Sequence, residues 1–469
     1  MISELRLRNF KGWADTNPLR LAPITGFFGP NSSGKTSLLQ ALLLLKQTTD
    51  SADRARVFDL GGDRAVASLG TYYDLVYRHA FQQPLDIELK WHRAWPFDVM
   101  DETGKRRLFS GTELSYAVSV SALRGEPTVN TLRYSVDGTS FMLRRKPQTR
   151  EYILTAELGG GFRFRRVKGR PWALPPPVKC YGFPDQVRGY YQNAGFLSDF
   201  ELEFEVLFDG VFYLGPLRDD PHRQYNWGGG RPQDVGRRGE NAIEALIASR
   251  SDGKVNSRGF VHRQDGRRRL PRVTIEEHVA AWLYQLGLIH SFRVEAIDPE
   301  ETLFRVRVRR TATSADVLLP DIGFGVSQVL PVLVLLAYVP EGSIVLLEQP
   351  EIHLHPAAQA ELADVLLEAA LARGVQVVVE SHSEHMLLRL QRRIAEKKLA
   401  RGLEVTPEDV AFYFCDVKDG NAQAQELKVD LFGNIANWPS NFFGDAFKEA
   451  SSMTEAGIRR RLEASEKST

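Results

Sequence analysis

The sequence predicts an α/β protein with a mixed β-sheet flanked by helices and an inserted β-rich and helical lobe. Three observations lead there. From residue 327 onward helical and strand patterns alternate, with strands at 344–347, 375–379 and 410–414, the spacing of βαβ units and a parallel sheet. Near the N-terminus a short apolar strand, Ile24 to Phe28, runs through a glycine loop into the segment "TSLLQALLLLKQ", Thr36 to Gln47, apolar nearly all round and therefore a helix buried on several sides. Between these parts, from about Leu85 to Arg166, the chain reads as successive strands separated by Gly, Asp or Pro turns.

The chain has 469 residues, too many for one ordinary domain. The expected division is 1–119 for the N-terminal part of a head, 120–205 for an inserted lobe or lid, and 206–469 for the C-terminal part of the head. Residues 3 to 8 alternate as a half-buried strand. The stretches "LDIELKWH", "LSYAVSVSAL", "TLRYSV", "FMLRRK", "EYILTAEL" and "FRFRRV" form the antiparallel region. A proline cluster, "PWALPPPVKCYGFP", and an aromatic helix candidate close the lobe. Residues 226 to 272 are Gly- and Arg-rich loops around one helix, Asn241 to Ser249. The segment 274–287 is a helix that Thr274 caps, with Glu277 three residues on.

Composition narrows the function. Lys plus Arg, 60, balances Asp plus Glu, 59, so any basic surface must be local. Four such clusters occur, at Arg144 to Lys146, at Arg163, Arg165 and Arg166, at Arg267 to Arg269, and at Arg389, Arg392 and Arg393; with Phe162 and Phe164 interleaved they could grip DNA phosphates. Two cysteines, Cys180 and Cys415, make neither a disulfide framework nor a metal spacing, which fits a reducing cytoplasm. The N-terminus has no apolar signal core, and the longest apolar run, Val329 to Val339, is too short to span a bilayer, so no membrane role is expected.

The chemistry concentrates in four stretches. "GPNSSGKT", Gly29 to Thr36, fits G-x-x-x-x-G-K-[ST]: backbone N–H groups wrap a β-phosphate, Lys35 reaches the β- and γ-oxygens, and the Thr36 hydroxyl binds Mg²⁺ at a helix N-terminus. In "DIGFGVSQ", 321–328, Gly325 lets the backbone approach a phosphate and Ser327 can donate from a helix N-terminus. In "GSIVLLEQPEIHLHP", 342–356, an apolar strand ends in Glu348-Gln349, where most nucleotide hydrolases of this layout carry Asp-Glu. Glu348 keeps the charge that holds Mg²⁺ through water. An amide at Gln349 can orient water but takes no proton at neutral pH. Finally "VVVESHSEH", 377–385, ends a buried strand in Glu380, Ser381 and His382, so Glu380 or Glu351 can stand in for the absent acid. His353, His355, His382 and His385 do not have the H-E-x-x-H zinc spacing, and packing explains them better than a metal.

Together these stretches resemble the ABC-type P-loop ATPase heads of the AAA_15/AAA_21 group. The form "EQPEIHLHP" is most similar to its DUF3696 branch, distantly related to OLD-family nucleases and SMC-like heads. "FYLGPLRDDPHRQY" (212–225) and "VGRRGENAIEAL" (235–246) also resemble that group. The resemblance implies ATP and Mg²⁺ as cofactors. It places Gly29, Asn31, Ser33, Gly34, Lys35, Thr36 and Ser37 in the phosphate loop, and Gly323, Gly325, Ser327 and Gln328 in the signature that closes over another subunit's ATP. It makes Glu348 the metal-site acid, puts Gln349 at the position of the usual catalytic Glu, and makes His382 the γ-phosphate switch. His355 and Pro356 fall in the D-loop, and Gln47 is the candidate Q-loop glutamine. Arg218 and Arg223 are candidates for reaching the nucleotide or the partner head.

The resemblance further implies a homo-oligomer, at least a dimer, because a complete site needs two heads. Relatives serve in bacterial anti-phage systems such as Septu, PARIS and Gabija-like pairs, where an ATPase senses or scaffolds and a separate effector, a nuclease, acts. No D-x-D follows His382, so no nuclease is expected in this chain. The leading expectation is thus a slow, regulated ATPase controlling an effector. The alternatives are a RecF-like or SMC-like DNA repair or maintenance ATPase acting directly on DNA, and a nucleotide-gated scaffold with negligible hydrolysis.

Overall fold

A computed structural model gives the architecture. It describes all residues except 63–64, 102, 104, 124, 158–161, 170–172, 254–259, 264–265, 270–272, 400–402, 440–450, 457 and 459–469. The chain opens with β1 (Ile2–Phe10), β2 (Trp13–Asp15) and β3 (Leu19–Arg20), then β4 (Ile24–Phe28) enters the glycine loop and α1 (Lys35–Asp50). After α2 (Tyr72–Leu75) come five antiparallel strands: β5 (Leu85–Met100), β6 (Arg107–Leu123), β7 (Glu126–Val136), β8 (Thr139–Arg145) and β9 (Tyr152–Glu157). Helices α3 (Gln186–Tyr190) and α4 (Leu197–Asp209) lead to β10 (Val211–Leu214) and the short β11 (Tyr225–Asn226). Next are α5 (Ala242–Ser249), the hairpin of β12 (Phe260–Arg263) and β13 (Gly266–Arg269), α6 (Ile275–Gln285), and β14 (Ser291–Ala296), β15 (Leu303–Arg309) and β16 (Val317–Leu318). The last third is α7 (Phe324–Tyr338), β17 (Ile344–Glu348), α8 (Pro356–Arg373), β18 (Gln376–Glu380), α9 (Glu384–Glu396), β19 (Val410–Lys418) and β20 (Asn421–Leu427).

The central sheet has the order β10-β17-β18-β4-β19-β20, parallel except for β20. Its inner strands are buried on both faces, which is why they read as unbroken apolar runs rather than alternating ones. One face, with Ile344, Leu346 and Val378, joins a core containing α1, α4 and the eight-stranded antiparallel sheet. The other, with Val345, Leu347, Val377 and Val379, packs on α5 to α9. Thr274 caps α6 with Glu277 in a capping box, as the spacing predicts.

Two expectations change. The lobe boundary at 120 falls inside β6, which pairs with β5 on one side and β7 on the other. Strands β7 to β9 therefore extend the sheet that β1 begins, and Tyr134, Phe141 and Phe200 share one core with Leu7 and Leu42. "FRFRRV" makes no strand; only Arg166 forms an isolated bridge, to Tyr191, while Phe162 and Phe164 pack edge-on against each other and against Phe141.

The basic cluster on α9 has a structural job. Asp364 of α8 is 1% exposed and accepts from Arg389 at 2.8 Å and from Arg393 at 2.7 and 2.6 Å. Arg389 also bonds Glu361, and Arg392 and Arg393 bond Glu396. Replacing the buried Asp364 with Ala leaves two part-buried guanidinium groups without that carboxylate. The expected cost is about 3–5 kcal/mol, read as a lower denaturant midpoint with an unchanged slope.

Candidate functional site

The site forms where β4, β17 and β18 end. Parallel pairing puts Glu348 opposite Glu380, and Glu380 opposite Phe27, so three strand ends stop level with one another. β4 delivers the chain to Gly29, whose φ is +138°. A Cβ there would lie 2.0 Å from the Cys415 carbonyl oxygen, so only glycine lets the loop lie this low on β19. At Gly34, φ +88°, a Cβ would press on Ala422 and on the Trp13 indole, whose Nε1 donates to the Gly34 carbonyl at 3.2 Å. Asn31 is exposed, Ser33 is buried, and Ser37 donates its backbone N–H to the Gly34 carbonyl.

Lys35 is buried; its Nζ donates to the carbonyls of Gly29 at 3.0 Å and Pro30 at 2.7 Å. Burial lowers its pKa, partly offset by Glu380. The Thr36 hydroxyl donates to Glu380 Oε2 at 2.8 Å, and burial raises the Glu380 carboxyl. The sequence pairs Thr36 with Glu348 at the metal; the contact observed is with Glu380, because β18 and not β17 lies next to β4. Glu348 is 6% exposed, and Tyr213 donates to its Oε1 at 2.8 Å. Burial pushes the Glu348 carboxyl up to about 7, with the charge of Glu380 adding to the rise.

Gln349 follows in a left-handed conformation, φ 44°, and donates its backbone N–H to the Glu380 carbonyl at 2.8 Å. Glu351 is committed to the neighbouring turn: it accepts from the Ser381 hydroxyl and from the His382 N–H, both at 2.7 Å. Both bonds fall on Oε1 and leave Oε2 buried without a partner. Burial and the charge of Lys35 lower the His382 pKa, and a hydrogen bond with the Gly29 backbone opposes this, so the ring lies against the phosphate loop.

The signature differs from its expected geometry. Ser327 is buried and donates back to the Phe324 carbonyl at 2.9 Å, and Gln328 is buried beside it. The exposed part of this turn is Gly323, φ +100°, and Phe324 at 67% exposure. Gly325 packs over the His353 carbonyl, and the Phe324 and His353 rings lie 6.3 Å apart, so the signature and D-loop turns share one surface. His355 caps α8 through Nδ1 and Pro356 begins the helix. Gln47 lies more than three turns past Lys35, about 18 Å along α1; it donates to the Asp59 carbonyl and accepts from the Ala67 N–H, so it holds the 59–67 loop and not a nucleotide. Arg223 forms a bidentate pair with Asp321. Arg218 instead donates to the Glu348 carbonyl at 3.3 Å. Tyr213 has no sequence signal, since it meets Glu348 across 135 residues.

A hydroxyl and two carboxylates are hard oxygen donors, the set Mg²⁺ takes when nucleotide and water complete its shell. The residues present therefore fit that ion. Among the described residues no group of three or more His, Cys, Asp or Glu side chains is arranged to hold a metal alone. No helix among them is long and apolar enough to cross a membrane.

The fold and site define a P-loop ATPase head of AAA/ABC type. The family described as "AAA ATPase domain" (AAA_15) matches residues 1–99. That described as "AAA domain, putative AbiEii toxin, Type IV TA system" (AAA_21) matches residues 239–388, and "Protein of unknown function (DUF3696)" matches residues 405–452. Together they place the chain among the AAA/ABC-type ATPases of this group. No curated protein matches it. Among solved structures, an SMC head bound to the C-winged helix domain of ScpA is similar at 11% identity and TM-score 0.45, over 91% of this chain and 98% of that one. The SMC head domain from Thermotoga maritima gives 11% and 0.41, over 91% and 99%. An Smc head with an extended coiled coil, bound to the C-terminal domain of ScpA derived from Pyrococcus furiosus, gives 10% and 0.42, over 98% and 99%.

Glu348 binds its proton more tightly in the fold than in the unfolded chain. Its contribution to stability is full below the ordinary carboxylate pKa and is lost as pH rises through about 7. The nucleotide-free Glu348→Gln protein should match the wild type in Tm near pH 5 and exceed it at pH 8 by about 2–4 °C. Thermal unfolding at the two pH values measures this.

Proposed function

We propose that the chain binds ATP with Mg²⁺ at the glycine loop and hydrolyses it slowly in a site that a second copy completes. The observation that carries this reading is the meeting of Lys35, Thr36, Glu380 and Glu348 at three adjacent strand ends. The backbone N–H groups of the loop and of the α1 N-terminus receive the phosphates. Lys35 exchanges the carbonyls of Gly29 and Pro30 for phosphate oxygens. Thr36, Glu380 and Glu348 would hold Mg²⁺, which would neutralise charge on the phosphates. Gln349 orients the attacking water through its amide, and a buried carboxylate receives the proton. The exposed turns at 323–325 and 353–355 provide the face that reaches the partner's ATP.

The cellular role we propose is a sensor or scaffold that controls a separate effector, a nuclease, in bacterial anti-phage defence. It rests on the AAA_15/AAA_21/DUF3696 resemblance. One structural observation supports it over direct action on DNA: the charges of Arg389, Arg392 and Arg393 are spent on Asp364, Glu361 and Glu396. Arg145 bonds the Thr149 carbonyl and Lys146 pairs with Glu151, while the side chains of Arg267 to Arg269 lie outside the described residues.

Phosphate release by the purified protein tests the chemistry. Lys35→Ala should abolish turnover, and Glu380→Gln should lower it by about 100-fold or more. Gln349→Glu should not raise it. A silent wild type that binds ATP and turns over only as Gln349→Glu would replace this reading with a nucleotide-gated scaffold.

A further inference from the structure

Glu348 is held from a side that no nucleotide motif supplies. β10 pairs in parallel with β17, Leu214 opposite Leu347, so its end lies beside the acid. Tyr213 donates its hydroxyl to Glu348 Oε1 at 2.8 Å. Four residues past the end of β10, Arg218 donates Nη2 to the Glu348 main-chain carbonyl at 3.3 Å. Arg218 is 6% exposed, and its Nε and Nη1 are buried with no hydrogen-bond partner, as is Oε2 of Glu351. Between Tyr213 and Arg218, Gly215 makes room: a Cβ there would lie 3.0 Å from the Tyr213 hydroxyl.

We propose that Tyr213 is a positioning residue for Glu348, fixing its carboxylate so that it and Glu380 face one metal ion, while Arg218 anchors the strand end and supplies the charge that lets both acids remain together. This rests on reading the site as one for ATP with Mg²⁺. Two physical reasons require such a device. A glutamate where most nucleotide hydrolases of this layout carry aspartate has one more rotatable bond, and fixing a side chain costs entropy that a hydrogen bond offsets. Two carboxylates level on adjacent strands repel each other in a poorly solvated site, so each needs its own donor. Thr36 is the donor for Glu380, and Tyr213 is the donor for Glu348. Orienting partners behind a metal ligand typically change metal affinity by about 10–100-fold.

Mn²⁺ is the probe, because its free ion gives a paramagnetic signal that is lost on binding. The full chain is titrated with Mn²⁺ in the presence of a non-hydrolysable ATP analogue, and binding of the same analogue is measured in EDTA. Tyr213→Phe keeps the ring and removes only the hydroxyl. It should weaken Mn²⁺ binding about tenfold or more while leaving binding in EDTA within about twofold and Tm within a few degrees. Unchanged or tighter Mn²⁺ binding in the folded variant overturns the proposal. Gly215→Ala crowds the same hydroxyl and leaves Tyr213 in place; weaker Mn²⁺ binding supports the proposal, and wild-type affinity counts against it. A wild type that binds the analogue with no gain from Mn²⁺ overturns the ATP–Mg²⁺ reading itself. That result is distinguishable, because it appears before any variant is made.

Discussion

Two carboxylates forced side by side by strand register govern the rest of this site. Glu348 and Glu380 are direct partners across β17 and β18, and both are nearly buried. A one-residue slip of either strand would turn its acid to the other face, so the apolar residues that fix the register also fix the acids. Val345, Leu347, Val377 and Val379 do this on one side of the sheet, and Ile344, Leu346 and Val378 on the other. The consequence is a concentration of negative charge at a place with little water. The neighbouring groups answer it: hydroxyls from Thr36 and Tyr213, and positive charge from Lys35 and Arg218.

The same constraint connects the Glu348 end of the site to α7. Gly215 donates to the Arg237 carbonyl and Asp219 to the Arg238 carbonyl, so the loop carrying Arg218 is bonded at both ends to residues 237–238. Next to those residues Gly239, φ +80°, lies against Pro331 of α7, where a Cβ would come within 2.4 Å of the proline ring. α7 is thus in contact, through one short loop, with the residues that brace Glu348.

Much of this was legible in the sequence because its signals are local. The glycine loop, the apolar strand ending in Glu348, and the strand ending in Glu380 and His382 each occupy fewer than a dozen consecutive residues, and the structure brings them together. What the sequence could not supply depends on long-range packing. Tyr213 reaches Glu348 across 135 residues, and no spacing rule spans such a gap. Ser327 looks available at a helix start, but α7 is buried all round from Val326 to Tyr338, and the hydroxyl donates back to the Phe324 carbonyl. The arginines of α9 read as a basic surface because their acid, Asp364, lies 25 to 29 residues away on the neighbouring helix α8. The boundary at 120 failed because an antiparallel strand, unlike a domain linker, carries no composition change where it crosses from one part of a sheet to another.

The amide at position 349 follows from the same electrostatics. Here β18 ends in its own glutamate level with Glu348, and Glu351 is buried only two residues beyond Gln349. A carboxylate at 349 would be the fourth within two strand ends, and its neighbours are already raised by burial. Each further like charge disfavours ionisation of the rest, which would leave fewer of these acids charged. Gln349 keeps the length and the capacity to orient water without adding charge. On this view the exchange of Glu for Gln is the counterpart of placing Glu380 beside Thr36: once the neighbouring strand supplies the acid, the original position is better neutral.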